Sequence, residues 1–492
     1  MIKLNRRSVK KVSNMERARN RIAVLGSGLS GLVAAYHIQK IIDSEQLPFE
    51  LITLEQRDQA GGTIRTIQTE IGPIDVGAST FDIRQADIRP FLKEIGLDQE
   101  IEYSLDWKFD RFNTQDFIEA DKVSYRGIPI HLNDLLQERE LSFSDKVSVL
   151  VNQTFNGIKQ KSPINTTTSV FLEDRFCKAV STLIAYPNYP ENIFGSMELC
   201  SPSFFDQNLI QLFGDKRRAQ QLTKMELEEL IDNGDKKFHL INGLNTLVDQ
   251  LAGYLSDNIL TNKKVTALTQ MDDGLFLLTL NQKESIRANV VVSTLPLSES
   301  HHLITENKQA LLDFPKPNTS SMATILFQFK KGTIRRYPKG IGFVVPKRSA
   351  YHMTRATFLN KKWPSLKDTD SDYLLVEIGR RQEDAIVQLL DETILEIILT
   401  ELQEILQLEG SYQSAQVFRW KDAVPHLLAD ERQELEKYSK EHKKRINDLG
   451  LFIGGNGLHG YGLSNAILEG QRLADEAIAY MKKNTQIEVG EG

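Results

Sequence analysis

The stretch IAVLGSGLSGLVAAY, residues 22–36, limits the possible folds more than any other part of this chain. Four apolar residues run into Gly26-Ser27-Gly28-Leu29-Ser30-Gly31, and an apolar pattern of helical period follows. Strand, glycine turn and helix in that order open a dinucleotide-binding unit. The first two glycines allow a tight turn and close backbone approach to a diphosphate. The third lets helix pack on strand, and the helix N-terminus favours negative charge. A GxGxxG string alone is weak evidence, so its setting decides. RIAVL (21–25) reads as a buried strand, LVAAYHIQKII (32–42) as a helix, and FELITLE (49–55) as a second strand. That strand ends on Glu55, 24 residues beyond Gly31. A carboxylate there can accept hydrogen bonds from an adenosine ribose and counts against a 2′-phosphate, hence against NADP.

Two further segments separate NAD from FAD. EQRDQAGGTIRT, from Glu55, adds Gly61-Gly62, a second close-approach loop on the diphosphate side. GGNGLHGYGLSNAILEG (454–470) is another glycine-rich turn opening a helix, whose N-terminus can stabilise negative charge on a reduced flavin ring. A nicotinamide dehydrogenase needs neither. An extended FAD does, and with no cysteine in the C-terminal glycine segment the expectation is non-covalent FAD.

At 492 residues the chain is too long for one core, and two or three domains are expected. With 40% hydrophobic residues and a mean hydropathy of −0.32 it reads as globular, without a run long enough to span a bilayer. Residues 1–21 carry a net +7, which leaves −13 for the rest of a chain whose formal charge is −6. The leader lacks the apolar centre of a secretory signal and reads as a disordered tail. The acidic body makes nucleic acid an unsuited partner. Cys177 and Cys200 match no metal or redox spacing, in keeping with a reducing compartment.

The expected fold class is α/β: a discontinuous Rossmann-like FAD-binding domain, a mixed-sheet substrate domain and a helical insertion. Its segments are a basic leader (1–21), an FAD domain from 22–84, 238–298 and 446–484, a mainly helical insertion (85–237), an α+β substrate domain (299–445) and a tail (485–492). Residues 85–230 read as mostly helical and irregular. Strands are expected in KKVTALTQ, GLFLLTLN, ANVVVSTLP, ATILFQFKK and DYLLVEIGR, and helices in 241–255 and DETILEIILTELQEIL.

These motifs carry a likeness. From about residue 22 to 482 the chain resembles the bacterial coproporphyrinogen and protoporphyrinogen oxidases, within the flavin amine oxidase superfamily. Narrower marks are IDVGASTFDIRQADIRPFLKEIGL (74–97), FHLINGLNTLVDQL (238–251), GIGFVVPKRS (340–349), NKKWP (360–364) and RWKDAVP (419–425). The resemblance implies that Gly26, Ser27, Gly28, Leu29, Ser30 and Gly31 lie on the diphosphate, with Glu55 and Gln56 at the adenosine. It places Gly62 and Thr63 on the pyrophosphate side, where the family's usual base at position 63 has Arg65 as a substitute. Gly77, Ala78, Ser79 and Thr80 fall along the flavin, the Val265 backbone at the adenine, and Trp420, Gly455, Tyr461, Gly462 and Leu463 near the isoalloxazine. Three family elements are replaced, by YPNYPEN (186–192), LLADE (427–431) and Ser464-Asn465-Ala466.

What the resemblance implies chemically is porphyrinogen oxidation in haem biosynthesis, coproporphyrinogen III above all, with hydride passing to flavin N5 and oxygen as acceptor. The partners are then a tetrapyrrole and molecular oxygen, in a cytoplasmic protein with peripheral membrane contact left open. An amine or polyene substrate on the same fold is the alternative, and a flavin-bound partner protein without catalysis a third. No side chain is assigned as acid or base, because orientation and flavin electrostatics carry such chemistry. His301-His302 reads as a solvated loop pair and no metal is expected; His459 reads as structural or proton-transferring. Trp363 reads as core. A propionate-bearing substrate needs cations, for which Arg84, Lys361 and Lys362 are the leading candidates and Lys347, Arg348 and Arg355 follow.

Overall fold

The computed structural model describes residues 20–83, 86–106, 108–113, 115–118, 124–125, 127–155, 166–189, 197–200, 202, 207–213, 237–305, 318–345, 349–367, 369–426, 447–455 and 462–485. Arg84, Lys347, Arg348, His459 and Tyr461 lie outside them, as do the leader up to residue 19, residues 427–431 and the tail from 486. The chain forms two compact units, one from residues 1–65, 245–317 and 433–492 and the other from 66–244 and 318–432.

The first unit is built on a parallel sheet. Its strands run Ile259–Leu260, Glu50–Leu54, Arg21–Leu25, Val290–Ser293 and Leu451–Ile453 across the sheet, so early, middle and late parts of the chain alternate. All four residues of VVVS are buried, as are four of the five in RIAVL and in ELITL. Unbroken burial of that kind belongs to a parallel sheet covered on both faces. Helices Leu29–Glu45 and Leu463–Asn484 pack together through Gly470, where a Cβ would fall 2.6 Å from the Ser30 carbonyl oxygen and 2.8 Å from Val33 Cβ. An antiparallel meander of Val265–Gln270, Phe276–Leu280 and Glu284–Ala288 is appended. His301 and His302 sit in helix Leu297–Thr305 rather than in a loop, because Leu303 and Ile304 bury on its inner side.

In the second unit seven strands form one sheet, ordered Ser414–His426, Asn318–Lys330, Ser371–Ile378, Met353–Phe358, Gly342–Val344, Phe109–Phe112 and Phe117–Ile118. Alternation sorts its two faces. Ala323, Ile325, Phe327, Phe329, Leu374, Val376 and Ile378 pack with Ile394, Ile398 and Leu402 of helix Asp391–Leu406. Leu326, Tyr373, Leu375, Phe418 and Trp420 turn to the other face, against Ile74, Val76 and Trp363. Residues 101–129, expected to be largely helical, contribute strands instead. All four residues of Phe109–Phe112 are buried, and the strand is recruited by parallel pairing with Gly342–Val344. Helices resume at Leu132–Leu136, Phe143–Phe155, Thr168–Arg175 and Gln207–Phe213, with a wide helical turn over Val180–Ala185.

Residues 66–84 and 238–244, read from the sequence with the nucleotide domain, lie in this second unit. Their polar ties explain it. Thr324 Oγ1 donates to the Val76 carbonyl at 2.6 Å, and the Leu244 amide donates to Asp75 Oδ1 at 2.9 Å. Residues 299–305 lie in the first unit, where Ser300 and Ser293 hydroxyls meet at 3.0 Å. Among the described residues no helix is long and apolar enough to cross a membrane.

Candidate functional site

In the first unit the glycine turn is held shut by its own backbone and by two side chains. Gly26 has φ +90°, open to glycine at little cost. A Cβ on Gly31 would fall 2.0 Å from the Gly26 carbonyl oxygen and 2.6 Å from Thr294 Oγ1, so that position admits glycine alone. Thr294 Oγ1 donates to the Leu25 carbonyl at 2.9 Å, clamping the turn from the neighbouring strand's end. The second glycine loop meets the first. Gly61 N donates to the Ser27 carbonyl at 2.9 Å, and a Cβ on Gly62, whose φ is +62°, would fall 2.9 Å from Gly28 Cα. Two loops stripped of side chains thus lie backbone to backbone at the start of a 17-residue helix.

That helix start is electrostatically open. Its N-cap is Gly28, no side chain caps it, and its first turn holds no acid. The 22-residue helix from Leu463 starts in the same way, on Gly462 at φ +91°. Uncapped amides and the helix dipole favour an anion at each N-terminus. A diphosphate fits the first cradle on those grounds. Beside it Leu29 and Ser30 are buried, Gly455 is buried at φ +111°, and Leu463 is buried. Gln56 and Thr63 are exposed, as is Arg65. Val265 opens the meander and is buried.

Glu55 has a second role that the sequence did not indicate. Its carboxylate is buried, and Oε2 accepts from Ser27 N at 2.9 Å and from Ser27 Oγ at 2.6 Å. Oε1 accepts from Arg57 N at 2.9 Å, and Arg57 Nη1 donates to the Gly62 carbonyl at 2.8 Å. One carboxylate therefore fixes the first glycine turn, and through Arg57 it reaches the second. Arg57 and Thr294 were missed in the sequence, although Thr294 directly follows a strand end and Arg57 stands three residues past one, where a loop-fixing residue would be sought.

The flavin-side candidates Gly77, Ala78, Ser79 and Thr80 belong to the second unit, each half-buried. Thr80 Oγ1 accepts from Lys362 Nζ at 2.9 Å. Lys362 is buried, with its ammonium 4.4 Å from the Trp363 ring centroid. Burial pushes its amine down to about 7, partly offset by Glu377 and reinforced by Arg355 and Lys237. Trp363 stacks on His239 at 3.8 Å, and His239 Nε2 lies 2.9 Å from Glu102 Oε2. Beside them Lys237 pairs with Asp82 at 2.9 Å. Lys362 is thus an interior group, not a rim cation. Lys361 is half-buried and committed elsewhere: its Nζ donates to the Pro338 and Gly340 carbonyls and lies over Tyr337 and Phe358. The motif NKKWP owes its asparagine to architecture. Asn360 is buried, its Nδ2 donating to Leu366 and Ser371 carbonyls and its Oδ1 accepting from Tyr373 N.

Trp420 is buried opposite Met322 on the paired strand. On the same sheet face a cleft opens whose walls include Tyr186, Tyr189, Met322 and Val424, with Arg355 and Arg381 among its charges. Sequence reading placed Arg355 among the cations but did not single out Arg381. Nothing in its periodicity marks it, since it sits in a turn.

A glycine cradle at an open helix start agrees with the comparisons. The family model described as flavin containing amine oxidoreductase matches residues 29–478. The chain belongs to that family. It is a flavin-dependent oxidoreductase. Coproporphyrinogen III oxidase of Bacillus subtilis (strain 168) is 23% identical over 486 residues, 95% of this chain and 100% of that protein. Mitochondrial protoporphyrinogen oxidase of Nicotiana tabacum is 22% identical, over 94% of this chain and 95% of its own. Among solved structures, a protoporphyrinogen oxidase candidate from Exiguobacterium sp. 255-15 has a TM-score of 0.77 at 20% identity, covering 93% of this chain and 98% of that one.

Proposed function

We propose that this protein is a cytoplasmic FAD-dependent porphyrinogen oxidase that acts on coproporphyrinogen III. The observation that carries the reading is length. Similarity to the B. subtilis coproporphyrinogen III oxidase spans both units, 95% of this chain and all of that protein, not the nucleotide cradle alone. Bound FAD would accept hydride at N5 and return the electrons to oxygen. The chain's own residues bind and orient. Gly26 to Gly31 with Gly61 and Gly62 would hold the diphosphate non-covalently, Glu55 would keep that cradle closed while presenting its remaining lone pairs to the ribose, and the Gly462-Leu463 helix start would favour negative charge. In the second unit, Trp420, Met322 and Val424 supply an apolar wall for a macrocycle. Lys362, with a weakened hold on its proton, can take a proton from a group placed beside Thr80.

Turnover in air tests this. Purified protein loaded with FAD should convert coproporphyrinogen III to fluorescent porphyrin, with one hydrogen peroxide released for each two-electron step. Porphyrin formed at the rate of a protein-free control, beside brisk peroxide release from a primary amine or loss of a polyene, would transfer the assignment to the alternative substrate class.

A further inference from the structure

The cleft of the second unit that includes Met322 and Val424 in its apolar wall also carries charged side chains with no role in the reading above. It lies on the sheet face away from helix Asp391–Leu406. Arg355 and Glu377 face one another there as a cross-strand pair, their nearest atoms 3.9 Å apart. That contact is long for an ion pair, and Arg355 Nε is buried without a hydrogen-bond partner among the described residues. Its guanidinium lies 4.7 Å from the Phe109 ring centroid. A half-buried guanidinium with an unused donor invites an acceptor.

Arg381 stands next to it on a turn that the fold fixes. Glu383 N donates to the Arg380 carbonyl at 2.9 Å, closing the turn, and Gln382 adopts φ +69°. Gly379, at φ +89°, has no room for a Cβ, which would fall 2.6 Å from the Ser321 carbonyl oxygen. Arg380 anchors the turn from below, with Nη2 donating to the Met353 carbonyl at 2.9 Å and Nε 3.0 Å from Glu383. Arg381 is half-buried and has no acidic partner among the described residues. A rigid turn, one arginine tied down and one left unmatched, describes a preorganised anion contact.

The cleft walls say which anion. Tyr186 and Tyr189, just past the wide helical turn Val180–Ala185, line it together with Met322 and Val424. An inorganic ion has no use for such walls. A carboxylate on a flat apolar body uses both. We propose that this cleft is a carboxylate subsite in which Arg381, supported by Arg355, takes a propionate of the tetrapyrrole; this rests on the porphyrinogen reading above. Arg381 is then a specificity residue, separating acid-bearing macrocycles from neutral ones.

The test is equilibrium binding of coproporphyrin III and of its tetramethyl ester to the FAD-loaded protein, read by porphyrin fluorescence. Wild type should prefer the free acid by about tenfold or more, the range of a charge-assisted contact. Arg381→Gln should erase that preference while ester affinity and bound flavin stay unchanged, and Arg381→Lys should restore part of it. Equal affinity of wild type for acid and ester would overturn the subsite, as would an equal fall for both in Arg381→Gln. If coproporphyrinogen is still oxidised in either case, the subsite fails and the porphyrinogen reading stands. If neither porphyrin binds and no porphyrinogen is oxidised, both fail together.

Discussion

Lys362 shows what burial does to a single charge. Its side chain sits among Thr80, Trp363 and the ionic pairs of the second unit, and its amine is pushed down to about 7. In the unfolded chain the same amine titrates near its ordinary value, so between about pH 7 and 10 the unfolded state holds a proton that the folded state has released. Stability then rises with pH across that window. Below it both states are protonated, and the folded state carries the full cost of a buried ammonium. Lys362→Met removes this dependence. Thermal melts at pH 7 and pH 9 should therefore show wild type gaining on the variant by up to about 1 kcal/mol per pH unit. A constant difference between the two pH values would mean that Lys362 titrates normally and is solvated. The same burial changes the meaning of the NKK segment: Lys361 and Lys362 hold carbonyls and a hydroxyl inside the unit, and among the described residues the cations lining the cleft are Arg355, Arg380 and Arg381.

Elements explain which parts of the sequence could be read. The turn at residues 26–31 was legible because glycine is demanded three times at fixed spacing, and the structure supplies the reason in a 2.0 Å clash at Gly31 and positive φ at Gly26. Strands RIAVL and ELITL were legible because unbroken apolar runs in a βαβ order belong to a buried parallel sheet. Phe109–Phe112 was not. Its two aromatics flank two adjacent charges, yet all four are buried, since Arg111 reaches Glu138 and Asp110 accepts from Lys339 N. Local pattern cannot report such distant partners. Glu55 belongs at this scale too, because it joins two loops. In Glu55→Gln the side chain has one oxygen for the Ser27 and Arg57 donors, and its amide must face a donor. The variant should lose flavin affinity by roughly tenfold and lose about 1–3 kcal/mol of stability even without flavin. A flavin-free melt equal to wild type would show that the carboxylate serves the ribose alone.

At the scale of the whole molecule, a chain that leaves its first unit and returns to it twice gives each unit a separate task. The first offers two open helix starts and a cradle without side chains. The second offers an apolar wall with Trp420, a buried amine and a cationic cleft. The flavin-dependent chemistry follows from the family, whose model runs from residue 29 to 478 and so takes in most of both units. The substrate question falls largely to the second unit, the part least legible in the sequence, where YPNYPEN and LLADE stand in place of motifs of the porphyrinogen oxidases it resembles; the third replacement, Ser464-Asn465-Ala466, falls in the first unit. Flavin reduction without oxygen isolates that question, because it reads hydride transfer directly and needs no acceptor. Under anaerobic conditions, stoichiometric coproporphyrinogen III should bleach the flavin absorbance of the FAD-loaded protein within a turnover, and simple amines should leave it oxidised. A flavin that stays oxidised with coproporphyrinogen III but bleaches with an amine would contradict the assignment.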